Sequence, residues 1–167
     1  KNILLEKWKI ETVCGNRKPE KPGYCVFNNI AYALDLLKKH IDCNSKIALH
    51  TDVDVDGIGT TYIFKKALNN LGSNNHLLLI NRDKIHGIQQ KHVDYFRDKP
   101  LDLMIITDSS TNEIEIIKQF NCDVLVVDHH DVSQKMRSQL LGLCNDGVHR
   151  YVIVNNTIGN SNQEFDN

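Results

Sequence analysis

Residues 50–57, HTDVDVDG, place three carboxylates at alternate positions and end in a glycine. Carboxylates this close together repel each other unless a cation lies among them. The pattern D-x-D-x-D-G opens the calcium loop of an EF-hand, which ends in a bidentate glutamate at its twelfth position. Counted from Asp52, the twelfth residue is Ile63, which has no ligating atom. The acidic segment is therefore predicted to belong to another kind of cation site.

Four apolar segments of the sequence end abruptly in polar side chains that can bind metals or phosphates. They read IALH, MIITD, VLVVDHH and VIVNN, and they end at His50, Asp108, the pair His129 and His130, and Asn155 with its neighbour. Ligands of open α/β sheets bind beyond the carboxyl ends of the strands. If these segments are parallel strands, their polar ends meet at one edge of the sheet, where we expect a functional site.

The residue types indicate the chemistry of such a site. Aspartate oxygens and histidine nitrogens favour Mn²⁺ or Mg²⁺ over a thiolate-rich zinc site. Asp54 and Asp56 lie two residues apart, so they face the same side if the segment is extended, and His50 precedes Asp54 by four residues. Two cations ~3.5–4 Å apart, bridged by a carboxylate, can turn water into hydroxide and hold a phosphoryl group for in-line displacement. The set favours phosphoryl transfer.

Several other polar residues are predicted to be structural. His86, His92 and His149 are interpreted as surface or capping histidines. Glu113 is interpreted as a charge at a helix start, in a capping box with Ser110.

Apolar periodicity predicts the elements that position these side chains. Continuous apolar strands that alternate with helices indicate an α/β fold of three layers, a mostly parallel sheet with helices on both faces. Residues 1–27 are predicted to be irregular. The predicted strands are 46–50, 76–80, 102–107, 123–127 and 151–154, and the predicted helices are 28–41 capped by Asn28 or Asn29, 58–71, 87–97, 112–120, and 133–143 capped by Ser133.

Composition limits the function classes. The chain has 167 residues, 41% of them hydrophobic, enough for one domain with a core. Its apolar runs are far shorter than the ~20 residues that cross a bilayer. Five cysteines form no C-x-x-C pair, which favours reduced thiols and a cytoplasmic location.

The charge is distributed unevenly. Residues 1–46 carry nine Lys/Arg and five Asp/Glu, whereas the remainder carries eleven and sixteen. A net-acidic region argues against nucleic-acid binding, because phosphate contacts come from Lys and Arg. That argument weakens if several acids hold cations.

The motifs HTDVDVDG, IITDSS and VLVVDHH, in this order and at these separations, resemble those of the DHH family of phosphoesterases. The resemblance covers roughly residues 25–160. Within the family, the first motif, the segment NRDKIHGI and the segment VIVNN look like those of RecJ-type exonucleases, which digest single-stranded DNA from 5′ to 3′. The resemblance thus implies a DHH domain and a single-stranded nucleic-acid substrate.

The resemblance also implies a metal site with two divalent cations, Mn²⁺ or Mg²⁺. His50, Asp54 and Asp108 would hold one ion. Asp56, Asp108 and His129 would hold the other, so Asp108 would bridge the two and act as a catalytic residue.

Further roles follow from the same resemblance. His130 would contact the scissile phosphate as a catalytic and substrate-binding residue. Arg82 and Gly87 would bind substrate, Arg82 through its planar guanidinium. Asp128 would orient the histidines from behind. For Asp52, the residue pattern itself predicts a supporting role in which it accepts hydrogen bonds from the loop backbone.

Two departures from the family leave alternatives open. The family usually supplies one more metal-binding aspartate after a glycine-rich helix start, and then a second domain. The sequence ends at Asn167 before either, so residues 28–167 are expected to be a truncated DHH domain. The alternatives are a DHH phosphodiesterase for oligonucleotides, cyclic dinucleotides or pyrophosphate, and a non-catalytic DHH-fold binding or scaffold module.

Overall fold

A computed structural model describes residues 29–81, 83–134, 136 and 150–158. Five strands and four helices are present within these ranges, whereas the predicted irregular segment 1–27 lies outside them. The strands are β1 (Ile47–Thr51), β2 (His76–Ile80), β3 (Leu103–Thr107), β4 (Asp123–Asp128) and β5 (Tyr151–Asn155). The helices are α1 (Ile30–Asp42), α2 (Val55–Asn70), α3 (Gln90–Phe96) and α4 (Ile114–Ile117).

The strands form one sheet in the order β2-β1-β3-β4-β5, and every neighbouring pair is parallel. The predicted α/β fold is confirmed. Strands β1, β3 and β5 are buried along their whole length, whereas the edge strand β2 is partly exposed. Burial on both faces explains the uninterrupted apolar runs in the sequence.

Alternate strand residues build two apolar cores, one on each face of the sheet. On one face, Met104 of β3 belongs to a cluster that includes Phe96 of α3. On the other, Ile105 clusters with Leu36 of α1 and Leu68 of α2. Helices therefore cover both faces, as predicted.

Helix α2 begins three residues earlier than predicted. The carboxylate of Asp54 is its N-cap and accepts a hydrogen bond from the backbone N–H of Gly57 at 2.9 Å. Capping by Asp satisfies an N–H group that has no partner inside the helix. The extended segment that would place Asp54 and Asp56 on the same side is not present, because Asp56 lies in the first turn of a helix.

The capping box predicted from Ser110 and Glu113 is wrong. Ser110 adopts a φ of 78°, and its hydroxyl accepts a hydrogen bond from the N–H of Ile88 at 2.8 Å. Glu113 is the residue before α4 and makes no side-chain capping bond. A capping box forms instead at the start of α3, between Gln89 and His92.

Helix α1 is fixed to the sheet at both ends. Asn29, the residue before the helix, does not cap it, because its side-chain amide donates to the carbonyl of Ile153 at 3.0 Å. Near the other end, His40 Nε2 lies 2.9 Å from the carboxylate of Asp123, which begins β4. These contacts hold α1 across β4 and β5.

Two further expectations concern helices. The Ser133 hydroxyl accepts a hydrogen bond from the N–H of Met136 at 3.3 Å, while the rest of the predicted helix 133–143 lies largely outside the described residues. Among the described ranges, no helix is both long and apolar enough to cross a membrane.

The two cores predict a difference between buried and exposed isoleucines. Ile105 is fully buried in the central strand, so Ile105→Ala should lower the free energy of unfolding by about 2–5 kcal/mol. Ile63 on α2 is 67% exposed, and Ile63→Ala should change it by no more than about 0.5 kcal/mol. Urea denaturation followed by circular dichroism measures both, and equal effects would contradict the described core.

Candidate functional site

The candidate site lies at the carboxyl ends of the central strands. Strand β1 connects through α2 to β2 on one side, and the chain then crosses back to place β3 on the other side of β1. Such a reversal of strand order opens a crevice at the sheet edge, where α/β proteins bind ligands. Asp54 follows β1 and Asp108 follows β3, so the topology brings these two carboxylates to the crevice.

Asp54 and Asp108 interact directly. Their carboxyl groups lie close enough that each changes the pKa of the other. The hydrogen bond from the Gly57 N–H holds the pKa of Asp54 below its ordinary value. Burial, together with the negative charge of Asp54, raises the pKa of Asp108.

Asp108 occupies an unusual backbone position. Its φ of 60° lies in the left-handed region, which aspartate tolerates better than most residues. The N–H of Asp108 donates to the carbonyl of Val127 on β4 at 2.8 Å, which fixes the turn. One carboxylate oxygen lies 3.1 Å from His129 Nε2. The other is buried and has no hydrogen-bond partner among the described residues.

Asp128 organises the loop that carries the two histidines. One oxygen accepts hydrogen bonds from the backbone of His129 at 2.7 Å and lies 2.7 Å from His130 Nδ1. The other oxygen accepts from the N–H of Thr111 at 3.0 Å. Although burial opposes it, the hydrogen bonds from Thr111 and His130 lower the pKa of Asp128. The bond to Asp128 also raises the pKa of His130.

Asn155 at the end of β5 supports the same loop. Its amide nitrogen donates to the carbonyl of His130 and to the hydroxyl of Thr111, each at 3.0 Å. Its amide oxygen accepts from Thr157 N–H at 2.8 Å. The polar end of β5 therefore positions the histidine loop from behind.

Asp52 is buried beside the loop that connects β2 to α3. Its oxygens lie 3.1 Å from the N–H of Gly87 and 2.9 Å from His86 Nδ1. Both carboxylate oxygens of Asp52 are therefore hydrogen-bonded to this loop. A Cβ on Gly57 would lie 2.6 Å from the Asp52 Cβ, so only glycine permits this approach. Gly87 has a φ of 75° and packs against Ser110.

His50 is fully buried one residue before the end of β1. Burial and the adjacent His92 lower the pKa of His50 to about 4, so its ring is neutral at pH 7. Nε2 lies 3.1 Å from the Asn81 amide nitrogen, which also donates to the carbonyls of Ile85 and Gly87 at 3.0 and 2.9 Å. Nδ1 is buried without a hydrogen-bond partner in the described part of the chain.

Candidate ligand atoms form two close groups. Those of Asp108, His129 and His130 lie within 4.8 Å of one another, as do those of Asp52, Asp54 and His86. The contact between Asp54 and Asp108 links the groups. His50 and Asp56 belong to neither group within the described ranges, and Arg82 lies outside those ranges.

The donor set fits a divalent metal. The buried Asp108 oxygen and the buried His50 Nδ1 both lack hydrogen-bond partners among the described residues, which is costly for polar atoms without a ligand. Two adjacent carboxylates gain further from a cation. The donors are oxygen and imidazole nitrogen, which suit Mn²⁺ or Mg²⁺.

A cavity of about 370 Å³ opens on the α1 and α2 side of the sheet. Its lining is mainly apolar, with Leu34, Phe64 and Val127 among its walls. Asp108 and His129 also line it, so the site is accessible from this face.

Two residues that were predicted from the sequence to have only structural roles lie at the site. His86 contacts Asp52, although it was expected to be a surface or capping histidine. Glu113 is half-buried, and its burial is the main reason that its pKa is raised. The negative charges of Asp128 and Asp52 raise the pKa of Glu113 further, so both acids lie near it. The sequence did contain a signal for His86: it lies beside Gly87 in the segment NRDKIHGI, which was predicted to bind substrate.

Comparisons with known proteins identify related sequences and a related fold. The model of the DHH family, N-terminal domain, matches residues 46–148. YorK of Bacillus subtilis (strain 168), whose name describes an SPbeta prophage-derived single-strand DNA-specific exonuclease, is 31% identical over 113 residues. The single-stranded-DNA-specific exonuclease RecJ of the same organism is 25% identical over 103 residues.

Each match covers only part of the relative. The YorK alignment includes 65% of this chain and 19% of YorK, and the RecJ alignment includes 59% and 13%. The chain therefore spans about a fifth of the length of YorK and a smaller share of the length of RecJ. A crystal structure of exonuclease RecJ bound to manganese has the same fold, with a TM-score of 0.59 and 21% identity, over 77% of this chain and 31% of that chain.

The close approach of Gly57 to Asp52 predicts opposite effects for two alanine substitutions in α2. Gly57→Ala should destabilise the protein, because its Cβ would overlap Asp52 and displace the loop. Gly59→Ala meets no atom within 4 Å and should stabilise by about 0.5–1 kcal/mol, because alanine favours helix. Thermal unfolding measures both, and stabilisation by Gly57→Ala would refute the approach.

The carboxylate pair predicts a pH-dependent gain in stability for Asp108→Asn without metal. Because the folded-state pKa of Asp108 lies above its ordinary value of 3.8, ionisation destabilises the fold. This cost is absent below pH 3.8 and complete above the folded-state pKa, so the gain should appear at pH 7 and vanish as pH falls towards 3.8. Denaturant unfolding in EDTA measures it.

Asp98→Asn is the control for this measurement, because Asp98 is exposed on the surface away from the pair. It should give no gain at either pH. An Asp108→Asn protein less stable than the unmodified chain at pH 7 would contradict the contact between the carboxyl groups.

Proposed function

This chain belongs to the DHH family, and from that premise we propose that it is the catalytic DHH domain of a metal-dependent exonuclease for single-stranded DNA. The observation that carries the proposal is the meeting of Asp54 and Asp108 with the histidines of the β4 loop at one sheet edge. A buried carboxylate oxygen without a partner among the described residues, beside a second acid, suits a cation-assisted reaction better than a purely structural role.

We propose the metal ligands that the family resemblance implies; two of them, Asp108 and His50, each have a buried atom without a hydrogen-bond partner among the described residues. Asp108 offers its unpartnered oxygen and is the proposed bridge between two ions. Asp54 and His50 complete one set, and Asp56 and His129 complete the other. Mn²⁺ or Mg²⁺ bound there would lower the pKa of water and neutralise charge on the transferring phosphoryl group.

The remaining residues hold and orient the substrate. Asp128 fixes the His130 ring through Nδ1, which leaves Nε2 to donate to an oxygen of the scissile phosphate. Such carboxylate-oriented histidines keep their ring position, and losing the carboxylate typically costs about 10–100-fold in metal affinity or activity. Gly87 brings backbone close to the crevice, and Arg82 is the proposed phosphate clamp.

The substrate follows from the relatives. YorK and RecJ are both named for activity on single-stranded DNA. From these names we infer the same substrate for this chain, and the resemblance to RecJ-type exonucleases leads us to propose 5′-to-3′ digestion and a cytoplasmic site of action. The matched region is a minor part of both relatives, so we also propose that residues 28–167 are one domain of a larger unit that includes the remaining metal ligand and a substrate-gripping domain.

The proposal predicts the outcome of a substrate panel. With Mn²⁺, the chain should release nucleotides from 5′-labelled single-stranded DNA faster than it cleaves cyclic dinucleotide or pyrophosphate. Asp108→Ala should abolish hydrolysis and keep the fold, since the loss of one of two repelling acids offsets the strain of alanine at a φ of 60°. Chromatography of the products measures the rates.

Asp98→Ala serves as the matched control and should retain full activity, because Asp98 is exposed on the surface. Turnover of pyrophosphate or cyclic dinucleotide without DNA cleavage would replace the exonuclease with a small-substrate phosphodiesterase. A folded chain that hydrolyses none of the three substrates would instead favour a binding module.

A further inference from the structure

Two buried carboxylates at the sheet edge each orient one exposed histidine. Asp52 lies 2.9 Å from His86 Nδ1, and its other oxygen accepts from the N–H of Gly87. Asp128 lies 2.7 Å from His130 Nδ1, and its other oxygen likewise accepts from a backbone N–H. The two acid–histidine pairs therefore have the same arrangement.

This arrangement fixes which ring nitrogen is available. An ionised carboxylate only accepts hydrogen bonds, so Nδ1 of each histidine carries a hydrogen. Nε2 is left as the free ring atom, and the side chains of His86 and His130 are 64% and 52% exposed. The side chains of Asp52 and Asp128 are 0% and 1% exposed, so each acts through its histidine.

The two pairs stand on opposite sides of the candidate metal ligands. In strand order, Asp52 follows β1 on the His86 side, and Asp128 ends β4 on the His130 side, with β3 and Asp108 between them. Strands two places apart in a sheet are separated by about 10 Å. The two acids therefore start from strands two places apart, which leaves room for a separate phosphate at each histidine. His86 and His130 are still near enough to interact electrostatically, so one nucleotide strand could reach both.

We propose that His86, positioned by Asp52, binds a non-bridging oxygen of a second phosphate, next to the phosphate contacted by His130. The inference rests on the proposed function, because it makes the substrate a nucleotide strand with at least two phosphates. Because Nδ1 keeps its hydrogen towards Asp52, Nε2 donates to the phosphate oxygen only from the protonated imidazolium form of His86, whose positive charge the Asp52 carboxylate balances. His86 is thus a substrate-binding residue, and Asp52 is a positioning residue.

Imidazole NMR of the ¹⁵N-labelled chain tests the contact without any hydrolysis. Inorganic phosphate is titrated into the protein in Mg²⁺, and the Nε2 resonances of His86 and His130 are followed. Both should shift saturably with phosphate. Asp52→Asn should abolish the His86 response and leave that of His130, and Asp128→Asn should do the reverse. His86→Ala identifies the His86 resonance.

The alternatives give distinct spectra. If Mg²⁺ alone shifts His86 and phosphate adds nothing, His86 is a metal ligand and the proposal fails. If phosphate shifts only His130, the second phosphate site does not exist. A phosphate response at both histidines in a chain that cleaves no DNA would keep this site and reject the exonuclease, so the two proposals fail separately.

Kinetics give a second readout when DNA is cleaved. His86→Ala should raise KM for single-stranded DNA by roughly fivefold or more, the loss of one charge-assisted hydrogen bond, and leave kcat nearly unchanged. Lys91→Ala removes a nearby positive charge whose ammonium contacts Asp83, and it should leave KM unchanged. An equal rise in KM for both variants would indicate a general charge effect and overturn the specific contact.

Discussion

The site depends on the parallel pairing of β1 with β3. The pairing aligns the carboxyl ends of two strands that come from separate parts of the chain, with His50 opposite Ile106. It brings Asp54 and Asp108 into contact at the reversal of strand order. Two neighbouring carboxylates repel each other in the apo protein, and a bound cation would relieve this repulsion.

The surrounding acids differ in what they can do. Asp52 and Asp128 have both oxygens engaged by donors from the chain, so they fix loops and histidines. Asp108 retains one carboxylate oxygen without a hydrogen-bond partner among the described residues, so that oxygen can bind a ligand. The amides of Asn81 and Asn155 add further bonds behind the two histidine-bearing segments. A site held this way needs little rearrangement to bind substrate.

Much of the fold could be predicted from the sequence because buried parallel strands leave a simple signal. Each strand is a short apolar run, and β2 was predicted at its observed limits. The polar residues after these runs identified the functional edge. Helix starts were harder: Asp54 caps α2 and draws Asp56 into a helix, whereas Ser110 uses its hydroxyl for a distant N–H. Those choices depend on tertiary contacts that local spacing does not encode.

The site was predictable to a similar degree. Asp108, His129 and His130 share a cluster because they follow adjacent parallel strands. The place of His86 was not predictable, because it depends on how a loop folds back onto Asp52 from 34 residues away. Pairing of distant loops is set by packing and backbone geometry, such as the close approach of Gly57, and not by residue type alone.

Anomalous scattering from crystals soaked in Mn²⁺ tests whether Asp108 bridges two ions. We expect a peak beside the carboxylates of Asp54 and Asp108, and a second peak on the far side of Asp108 towards His129. Asp108→Asn crystals should lose both. Well-ordered crystals with no peak at Asp108, or a single peak held by Asp52 and Asp128, would contradict the bridging role of Asp108.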